Sequence, residues 1–342
     1  MAKEPILSAK DVEIQFSVRG RKLMAIRKCS LDLYEGETLA IVGESGSGKS
    51  VFTKSFIGML DANGTITGGS ITYNGVDISK YKTEDEWMTI RGKKIAMVMQ
   101  DPMTSLNPLK KIGKQIQESI ELHQGLKGEA AKKEAFEMLK RVGIPDPERR
   151  YNQYPHEFSG GMRQRVVIAI AVACRPQILI CDEPTTALDV TIQAQILDLI
   201  HKLQNELHMT VIDLGVVANV ADRVAVMYAG QIIEYGLVNE IFYDAWHPYT
   251  WALLSALPQL GVKGEDLPSI DGTPPNLYNV VKGDAFAPRN KHALAIDFVA
   301  EPPFFQVSET HAAKTWYLDP RAPKIEQPES IRRLREKMRE RG

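Results

Sequence analysis

The chain has 342 residues, enough to bury more than one domain core, and its 44% hydrophobic and 25% charged residues are typical of a soluble globular protein. Its formal net charge of −1 gives no global field for binding nucleic acid. Residues 1–5 lack the apolar core of a signal peptide and no run approaches the ~20 apolar residues that span a bilayer, so we expect any membrane role to be played through partners.

The beginning of the chain predicts strands that lead into a phosphate-binding loop. Residues 5–42 are predicted to form short strands, the last being the apolar run 38–42, and residues 50–60 to form a helix. Between them lies the motif Gly-x4-Gly-Lys-Ser, formed by Gly43, Glu44, Ser45, Gly46, Ser47, Gly48, Lys49 and Ser50. Composition alone produces this motif in roughly one chain in a hundred. The flanking strand and helix make an accident rarer, so the motif predicts a nucleoside triphosphate site.

The residue types in this loop fit that chemistry. Glycines allow backbone N–H groups to close around phosphates, and the N-terminus of the following helix favours an anion. Lys49 is expected to contact the β- and γ-phosphates, and the Ser50 hydroxyl to ligate Mg²⁺. The loop therefore predicts a nucleotide bound together with a magnesium ion.

The middle of the chain predicts an α/β core with a helical insertion. Residues 68–75 indicate a strand closed by an Asn-Gly turn, and residues 94–99 a buried strand that ends at Gln100. A polar helical block spans 112–142, and further helices are predicted over 164–174 and 190–207. The three cysteines Cys29, Cys174 and Cys181 are predicted to be reduced and buried, as in a cytosolic protein. Residues 244–330 are proline-rich and weakly periodic, which predicts an appended region rather than core.

A second candidate site element is the apolar run 178–181, which is followed by two carboxylates. A continuous apolar run is typical of a parallel strand that is buried on both faces. Ligands bind at the carboxyl ends of such strands, so Asp182 is placed to hold Mg²⁺ and Glu183 to polarise an attacking water. The alternative is a strand that ends in two solvated acids.

A third motif, residues 158–165, reads Phe158-Ser159-Gly160-Gly161-Met162-Arg163-Gln164-Arg165. It closely resembles the signature motif of ATP-binding-cassette (ABC) ATPases, with Met162 where glutamine is commoner. The resemblance implies that Ser159, Gly160 and Gly161 cap the γ-phosphate of ATP held by an opposite ATPase subunit. Their hydroxyl and bare N–H groups at a helix N-terminus suit an anion.

The order of the remaining motifs matches the same family, in which Gln100 contacts the catalytic water and Mg²⁺ and Asp189 ends the D-loop, Ala187-Leu188-Asp189. Phe16 falls where the family stacks an aromatic ring on adenine, and a plain core role is equally open. The implied fold is a P-loop α/β cassette with a RecA-like core, an antiparallel β subdomain and an inserted helical subdomain. The implied cofactors are ATP and Mg²⁺.

The resemblance is closest to the ATPase subunits of oligopeptide and dipeptide permeases, specifically the D-type, and covers residues 5–320. It rests on residues 100–108, 182–196, 247–250 and 272–275. It implies a core at 1–103 and 176–243, a helical subdomain at 104–175 and a permease-type extension at 244–342. Implied partners are two transmembrane permease subunits, a paralogous or second ATPase subunit and an extracellular peptide-binding protein, with the chain on the cytoplasmic side of the cell membrane and no nucleic acid bound.

Two departures from the family pattern stand out. Where many members have four cysteines for an iron–sulfur cluster, this chain has Asp284, Asn290, Asp297 and Thr315. Because such clusters require thiolates, we predict no iron–sulfur cluster. The family's switch histidine is also missing, together with neighbouring residues, between Ile212 and Asp213, which predicts slow hydrolysis and a shortened central strand.

The sequence leaves several functions open. The main prediction is the ATP-binding subunit of a peptide importer. The missing histidine leaves open a regulatory subunit that binds ATP without hydrolysing it, a defective copy, or a sequence error. An importer of a different small solute is also open, as is a soluble cassette acting on DNA or ribosomes, which the neutral charge disfavours. In the C-terminal tail, Ile331, Leu334 and Met338 recur at helical spacing among basic residues, which predicts either a lipid-binding amphipathic helix or, preferably, a solvated one.

Overall fold

The structure is a computed structural model, and it describes residues 4–185, 188–214, 221–256, 270–329, 331–333 and 336. The strands are β1 (Leu7–Val18), β2 (Arg21–Leu33), β3 (Thr38–Val42), β4 (Gly64–Tyr73), β5 (Val76–Asp77), β6 (Ile95–Val98), β7 (Ile178–Cys181), β8 (Thr210–Asp213), β9 (Arg223–Tyr228), β10 (Gln231–Leu237), β11 (Phe305–Gln306) and β12 (Ala312–Ala313). The α-helices are α1 (Lys49–Ser55), α2 (Glu84–Met88), α3 (Pro102–Ser105), α4 (Ile112–Gln124), α5 (Gly128–Arg141), α6 (Pro147–Tyr151), α7 (Gly160–Val172), α8 (Val190–Leu207), α9 (Val238–Tyr243) and α10 (Pro248–Ser255).

The larger sheet has the strand order β11-β12-β10-β9-β3-β8-β7-β6. Strands β9, β3, β8, β7 and β6 are parallel to one another, and β10 and β12 extend the sheet in antiparallel fashion. All four residues of β7 are buried, as its unbroken apolar run predicts. Because β3 and β7 are parallel, the segments that follow them, 43–50 and 182–183, lie at one edge of the sheet.

A smaller antiparallel sheet, β2-β1-β4-β5, covers the first helix. Its two longest strands have 12 and 13 residues, so the prediction of short strands was wrong for this region. Register shifts in the β1–β2 pair interrupt the alternation that sequence reasoning relies on, which is why one long hairpin resembled several short strands. The predicted Asn74-Gly75 turn is confirmed between β4 and β5, and both residues have positive φ.

The helical block contains α4 to α7, which pack around one apolar cluster. The predicted helical block 112–142 is confirmed and consists of two helices, because Gly125 adopts a left-handed conformation that ends α4. Ile116 and Ile120 of α4 are fully buried with Ala135 and Leu139 of α5 in this cluster. The same cluster includes Val98 of β6 and Leu179 of β7, so the block shares its core with the main sheet, against which α7 packs.

The C-terminal extension is built into the fold rather than appended to it, which corrects the prediction from composition. Ala312 and Ala313 of β12 pair with β10, so the extension continues the main sheet. Ile331 of the predicted tail helix is fully buried against the segment that contains Trp251, although Leu334 and Met338 lie outside the described residues. Two-residue strands are too short to produce a periodic signal, which explains the wrong prediction. None of the described helices is both long and apolar enough to cross a lipid bilayer.

Candidate nucleotide site

A cleft of about 800 Å³ opens at the carboxyl ends of β3 and β7. One end is lined by polar groups of the phosphate loop and the acidic strand end: Ser45, Gly46, Gly48, Lys49, Ser50, Gln100 and Glu183. The other end is lined mainly by apolar and aromatic side chains of the β1–β2 hairpin, of α1 and of the extension, together with Asp61 and Asn63 from the segment before β4: Phe16, Val18, Leu23, Ala25, Val51, Pro275, Asn276, Leu277 and Tyr278. A cleft that is polar at one end and aromatic at the other suits a nucleotide, which has a charged tail and a flat base.

The phosphate loop is held closed by its own lysine. The Lys49 ammonium donates hydrogen bonds to the carbonyl oxygens of Gly43 and Glu44, at 2.8 and 3.3 Å. Burial lowers the pKa of Lys49, and the nearby carboxylates of Glu183 and Asp182 oppose this shift. A Cβ on Gly43 would lie 2.1 Å from the carbonyl oxygen of Met227, so only glycine allows β3 to lead into the loop this way. The loop backbone therefore surrounds the Lys49 ammonium, a positive charge suited to binding phosphate.

The Ser50 hydroxyl and the Asp182 carboxylate meet across the sheet edge. Ser50 Oγ donates to Asp182 Oδ1 at 2.7 Å, and Asp182 is 6% exposed. A hydroxyl and a carboxylate side by side are hard oxygen ligands, which Mg²⁺ prefers. The residues present therefore fit a magnesium ion at this position.

Gln100 and Glu183 also meet, because they follow the neighbouring parallel strands β6 and β7. Gln100 Nε2 donates to a Glu183 carboxylate oxygen at 2.8 Å. The backbone of Glu183 has φ of +47°, in the left-handed region that is uncommon for a residue with a side chain. Such strained backbone is concentrated at functional sites, where the surrounding structure holds it. Here it accompanies a glutamate that lines the cleft.

Glu44 is turned toward the extension rather than the cleft. Its N–H donates to the Tyr249 hydroxyl at 2.7 Å, and its carboxylate accepts two hydrogen bonds from the Arg289 guanidinium at 2.6 and 2.9 Å. This pair raises the pKa of Arg289. Ser47, also predicted to bind phosphate, is buried and lies with Glu44 beside a smaller pocket under the loop. Sequence reasoning missed Arg289, for which no local pattern provides a signal.

The signature residues do not line this cleft. Ser159 Oγ accepts a hydrogen bond from the Met162 N–H as the N-cap of α7, and Ser159 and Gly160 are exposed. A Cβ built on Gly160 would find only Leu188, at 3.8 Å, so this surface is open. Asp189 likewise caps α8 through the Ile192 N–H and does not line the cleft, and Ala187 of the D-loop lies outside the described residues. This arrangement fits a surface that meets another subunit.

Phe16 shows features of both predicted roles, stacking on adenine and packing in the core. It is 9% exposed and belongs to the core cluster under the small sheet. It also lines the cleft, and its ring packs on Gly64, where a Cβ would lie 2.6 Å from it. The ring is thus fixed by core packing and still forms part of the cleft wall.

The region of the missing histidine shows an intact strand. β8 has four residues; it pairs with β7 along all four of them and with β3 from Val211 to Asp213. The next residue, Leu214, donates its N–H to the Cys181 carbonyl. His208 lies before β8, at the end of α8, as predicted. No histidine is among the described residues that line the cleft.

The four extension positions that hold cysteines in many relatives make local hydrogen bonds here. Asp284 and Asp297 accept bonds from the backbone N–H groups of Phe286 and Leu294. Asn290 donates to the Tyr317 hydroxyl, and Thr315 accepts from the Tyr317 N–H. Oxygen and amide groups replace thiolates at all four positions, and the absence of an iron–sulfur cluster remains a prediction.

The parallel sheet, the loop after β3 and the carboxylates after β7 define a P-loop nucleotide-binding ATPase. The sequence profile described as ABC transporter matches residues 26–186, and the one described as oligopeptide/dipeptide transporter, C-terminal region, matches residues 233–296. The chain is 60% identical to the oligopeptide transport ATP-binding protein AmiE of Streptococcus pneumoniae, over 99% of this chain and 96% of that protein. It is 56% identical to the oligopeptide transport ATP-binding protein OppD of Bacillus subtilis, over 96% and 93% of the two chains.

Solved structures show the same fold. The post-hydrolysis dimer of the ATP-binding cassette MJ0796, bound to ADP and Pi, is 29% identical with a TM-score of 0.60, over 68% of this chain and 98% of that one. The chain belongs to the ABC ATPases, in the group of oligopeptide and dipeptide transport ATP-binding proteins. These similarities confirm the resemblance and the fold class predicted from the sequence. They favour a transporter subunit over a purely regulatory one.

Proposed function

We propose that this chain binds ATP with Mg²⁺ in the cleft and couples ATP binding and hydrolysis to the import of oligopeptides. The observation that carries the proposal is the meeting of Ser50 with Asp182 and of Gln100 with Glu183 beside the Lys49 loop. The oligopeptide specificity is taken from the names of the relatives. The peptide itself would contact other subunits, because the cleft has the polarity of a nucleotide site.

Each of these side chains has a distinct role in the proposal. Lys49 neutralises the β- and γ-phosphates, for which it exchanges its present bonds to loop carbonyls. Ser50 and Asp182 would hold Mg²⁺, which supplies charge neutralisation on the phosphates when bound. Glu183 accepts the proton of the attacking water, and Gln100 orients the Glu183 carboxylate through its amide.

The proposed partners are inferred from the signature residues, which do not line the nucleotide cleft of this chain. Because Ser159 and Gly160 are exposed and, like Gly161, lie outside the cleft, we propose that these three residues complete the ATP site of a second ATPase subunit, either a paralogue or a second copy. Two transmembrane permease subunits and an extracellular peptide-binding protein would complete the importer. The chain would then sit on the cytoplasmic side of the cell membrane. Asp189 is proposed to support the same subunit contact.

Reconstituting the assembled transporter in liposomes tests the function. We expect ATP-dependent accumulation of a labelled oligopeptide, and a Lys49→Ala chain should bind ATP at least about tenfold more weakly and support little uptake. Lys54→Ala, in the same helix but not lining the cleft, is the matched control and should leave uptake unchanged. Uptake of a different solute class, or full ATP affinity in Lys49→Ala, would contradict the proposal.

A further inference from the structure

The apolar end of the nucleotide cleft is shared between the β1–β2 hairpin and the C-terminal extension. Phe16, Val18 and Leu23 come from the hairpin, and Leu277 and Tyr278 come from a tight turn of the extension. We call residues 276–279 the base-side turn. Its tyrosine is half-buried and is the second aromatic residue on the cleft wall, after Phe16.

The base-side turn has a defined conformation of its own. Asn276 Oδ1 accepts the Tyr278 N–H at 3.0 Å, and the Asn276 carbonyl accepts the Asn279 N–H at 3.1 Å. An asparagine that bonds its own backbone two residues on is a stable turn former. The position of Tyr278 is therefore set locally before any ligand binds.

Two contacts fasten the turn to the hairpin. The Met24 N–H of β2 donates to the Leu277 carbonyl at 3.1 Å. The Arg21 guanidinium lies over the Tyr278 ring, 4.7 Å from its centroid, within the range of a cation–π interaction. The turn thus adopts one position relative to Phe16, which lies on the paired strand β1.

The segment that precedes the turn is also anchored beside the phosphate loop. Arg289 donates hydrogen bonds to the carbonyl oxygens of Ile270 and Asp271 at 3.2 and 2.8 Å. It also forms an ion pair with the Glu44 carboxylate. Its side chain is 3% exposed. The path from residue 270 to Tyr278 is consequently tied to the loop at one end and to the hairpin at the other.

We propose that Tyr278 binds the nucleotide base together with Phe16, so that the C-terminal extension supplies part of the ATP site of its own chain. A purine base is flat and stacks on aromatic rings, and the base end of the cleft offers two of them. The inference rests on the proposed ATP binding in this cleft. It makes the extension a determinant of nucleotide affinity.

The test compares a ligand that has a base with one that lacks it. Binding of ATP–Mg²⁺ and of inorganic tripolyphosphate–Mg²⁺ to the full chain is measured by titration calorimetry. Tyr278→Ala should weaken ATP binding about tenfold, since stacking on one aromatic ring typically contributes that much, and should leave tripolyphosphate binding unchanged. Tyr278→Phe keeps the ring and should restore ATP affinity.

Two control variants distinguish the role of Tyr278 in base binding from the assignment of the phosphate site. Phe298→Ala removes an aromatic ring of the extension that is 51% exposed and outside the cleft, and it should change neither affinity. Lys49→Ala should weaken both ligands, and its failure to do so would overturn the phosphate site rather than the role of Tyr278. Equal loss of ATP and tripolyphosphate binding in Tyr278→Ala, or no loss of either, would overturn the proposal.

A second readout covers the case in which Tyr278→Ala does not fold. Tyr278→Trp keeps a large ring on the base-side turn and places a fluorophore there. ATP should quench or shift its emission, relative to the parent chain, and tripolyphosphate should not. An identical response to both ligands, or no response to ATP, would show that the base binds elsewhere.

Discussion

The phosphate loop and the signature loop are alike in composition and differ in their surroundings. Each places a serine and glycines at the start of a helix, α1 in one case and α7 in the other. Around the phosphate loop, Lys49, Gln100 and Glu183 from separate elements line one cleft, and Asp182 bonds the adjacent Ser50. Around the signature loop, the described contacts of Ser159 are those of a helix cap, and Gly160 faces open space. The phosphate loop has its partner side chains within the chain, and we propose that the signature loop completes a site in another subunit.

We expect the largest change in ATPase activity from an insertion at the end of β8. Inserting Phe-Ile-Thr-His between Ile212 and Asp213 adds a group able to stabilise the γ-phosphate during transfer. We expect ATPase activity in the reconstituted transporter to rise on the order of 10²–10³-fold, the typical contribution of one such contact. Adding Glu183→Gln to the inserted chain should remove the gain while ATP still binds. A parent chain as fast as the inserted one would show that the histidine is dispensable here.

The next effect concerns the signature loop. Gly160→Ala adds a Cβ into open space and Gly160→Glu adds a negative charge where a partner's γ-phosphate is expected. Both chains should fold and bind ATP as the parent does. ATP-dependent association with the second ATPase subunit, measured by sedimentation, should weaken slightly in the first and at least about tenfold in the second because of charge repulsion. Glu118→Gln, at an exposed surface pair, is the control. Unchanged association in Gly160→Glu would contradict the assignment of this surface.

A third effect tests whether the extension stabilises the phosphate loop. Arg289→Ala removes the two hydrogen bonds that the guanidinium donates to the Glu44 carboxylate, so the free energy of unfolding should fall by about 2 kcal/mol, less than for a fully buried pair. Lys291→Ala, which breaks an exposed pair with Asp271 in the same region, should cost less than about 1 kcal/mol. Chemical denaturation gives both values. Equal losses in the free energy of unfolding would show that the Arg289–Glu44 pair stabilises the fold no more than an exposed ion pair does.

The smallest effect is a pH dependence that originates in the extension. Burial raises the pKa of Asp284 to about 6, against an opposing hydrogen bond from Phe286, with Asp297 raising it further and Lys314 and Arg27 lowering it. The folded state therefore keeps a proton that the unfolded state releases. The contribution of Asp284 to stability is full below pH ~4 and is lost as pH rises through ~6. Unfolding curves of Asp284→Asn should lack this loss. Parallel curves for the parent and the variant would contradict it.

The phosphate end of the site was predictable from the sequence, and the base end was not. The loop that leads to Lys49 and Ser50 follows β3, and Asp182 and Glu183 directly follow β7. Because parallel strands bring their carboxyl ends to one edge, the meeting of these residues follows from the order of the chain. The Arg289–Glu44 pair joins residues 245 positions apart, and no local sequence pattern indicates that these two side chains meet.

The fold shows the same contrast between its long and short elements. Helix α8 begins and ends where its apolar spacing predicts. Strand β12 has two residues, Ala312 and Ala313, and its place in the sheet depends on tertiary contacts alone. Composition therefore predicts an appended extension, although residues of the extension lie against both ends of the nucleotide cleft.

We propose that this chain holds ATP with its phosphate loop and closes a partner's ATP site with its signature loop. Photolabelling with azido-ATP in the assembled transporter, followed by separation of the subunits, tests it directly. With Gly160→Glu in this chain, label should be lost from the partner ATPase subunit and retained on this chain, and with Lys49→Ala the pattern should reverse. Loss of label from this chain in Gly160→Glu, with the partner still labelled, would contradict the account.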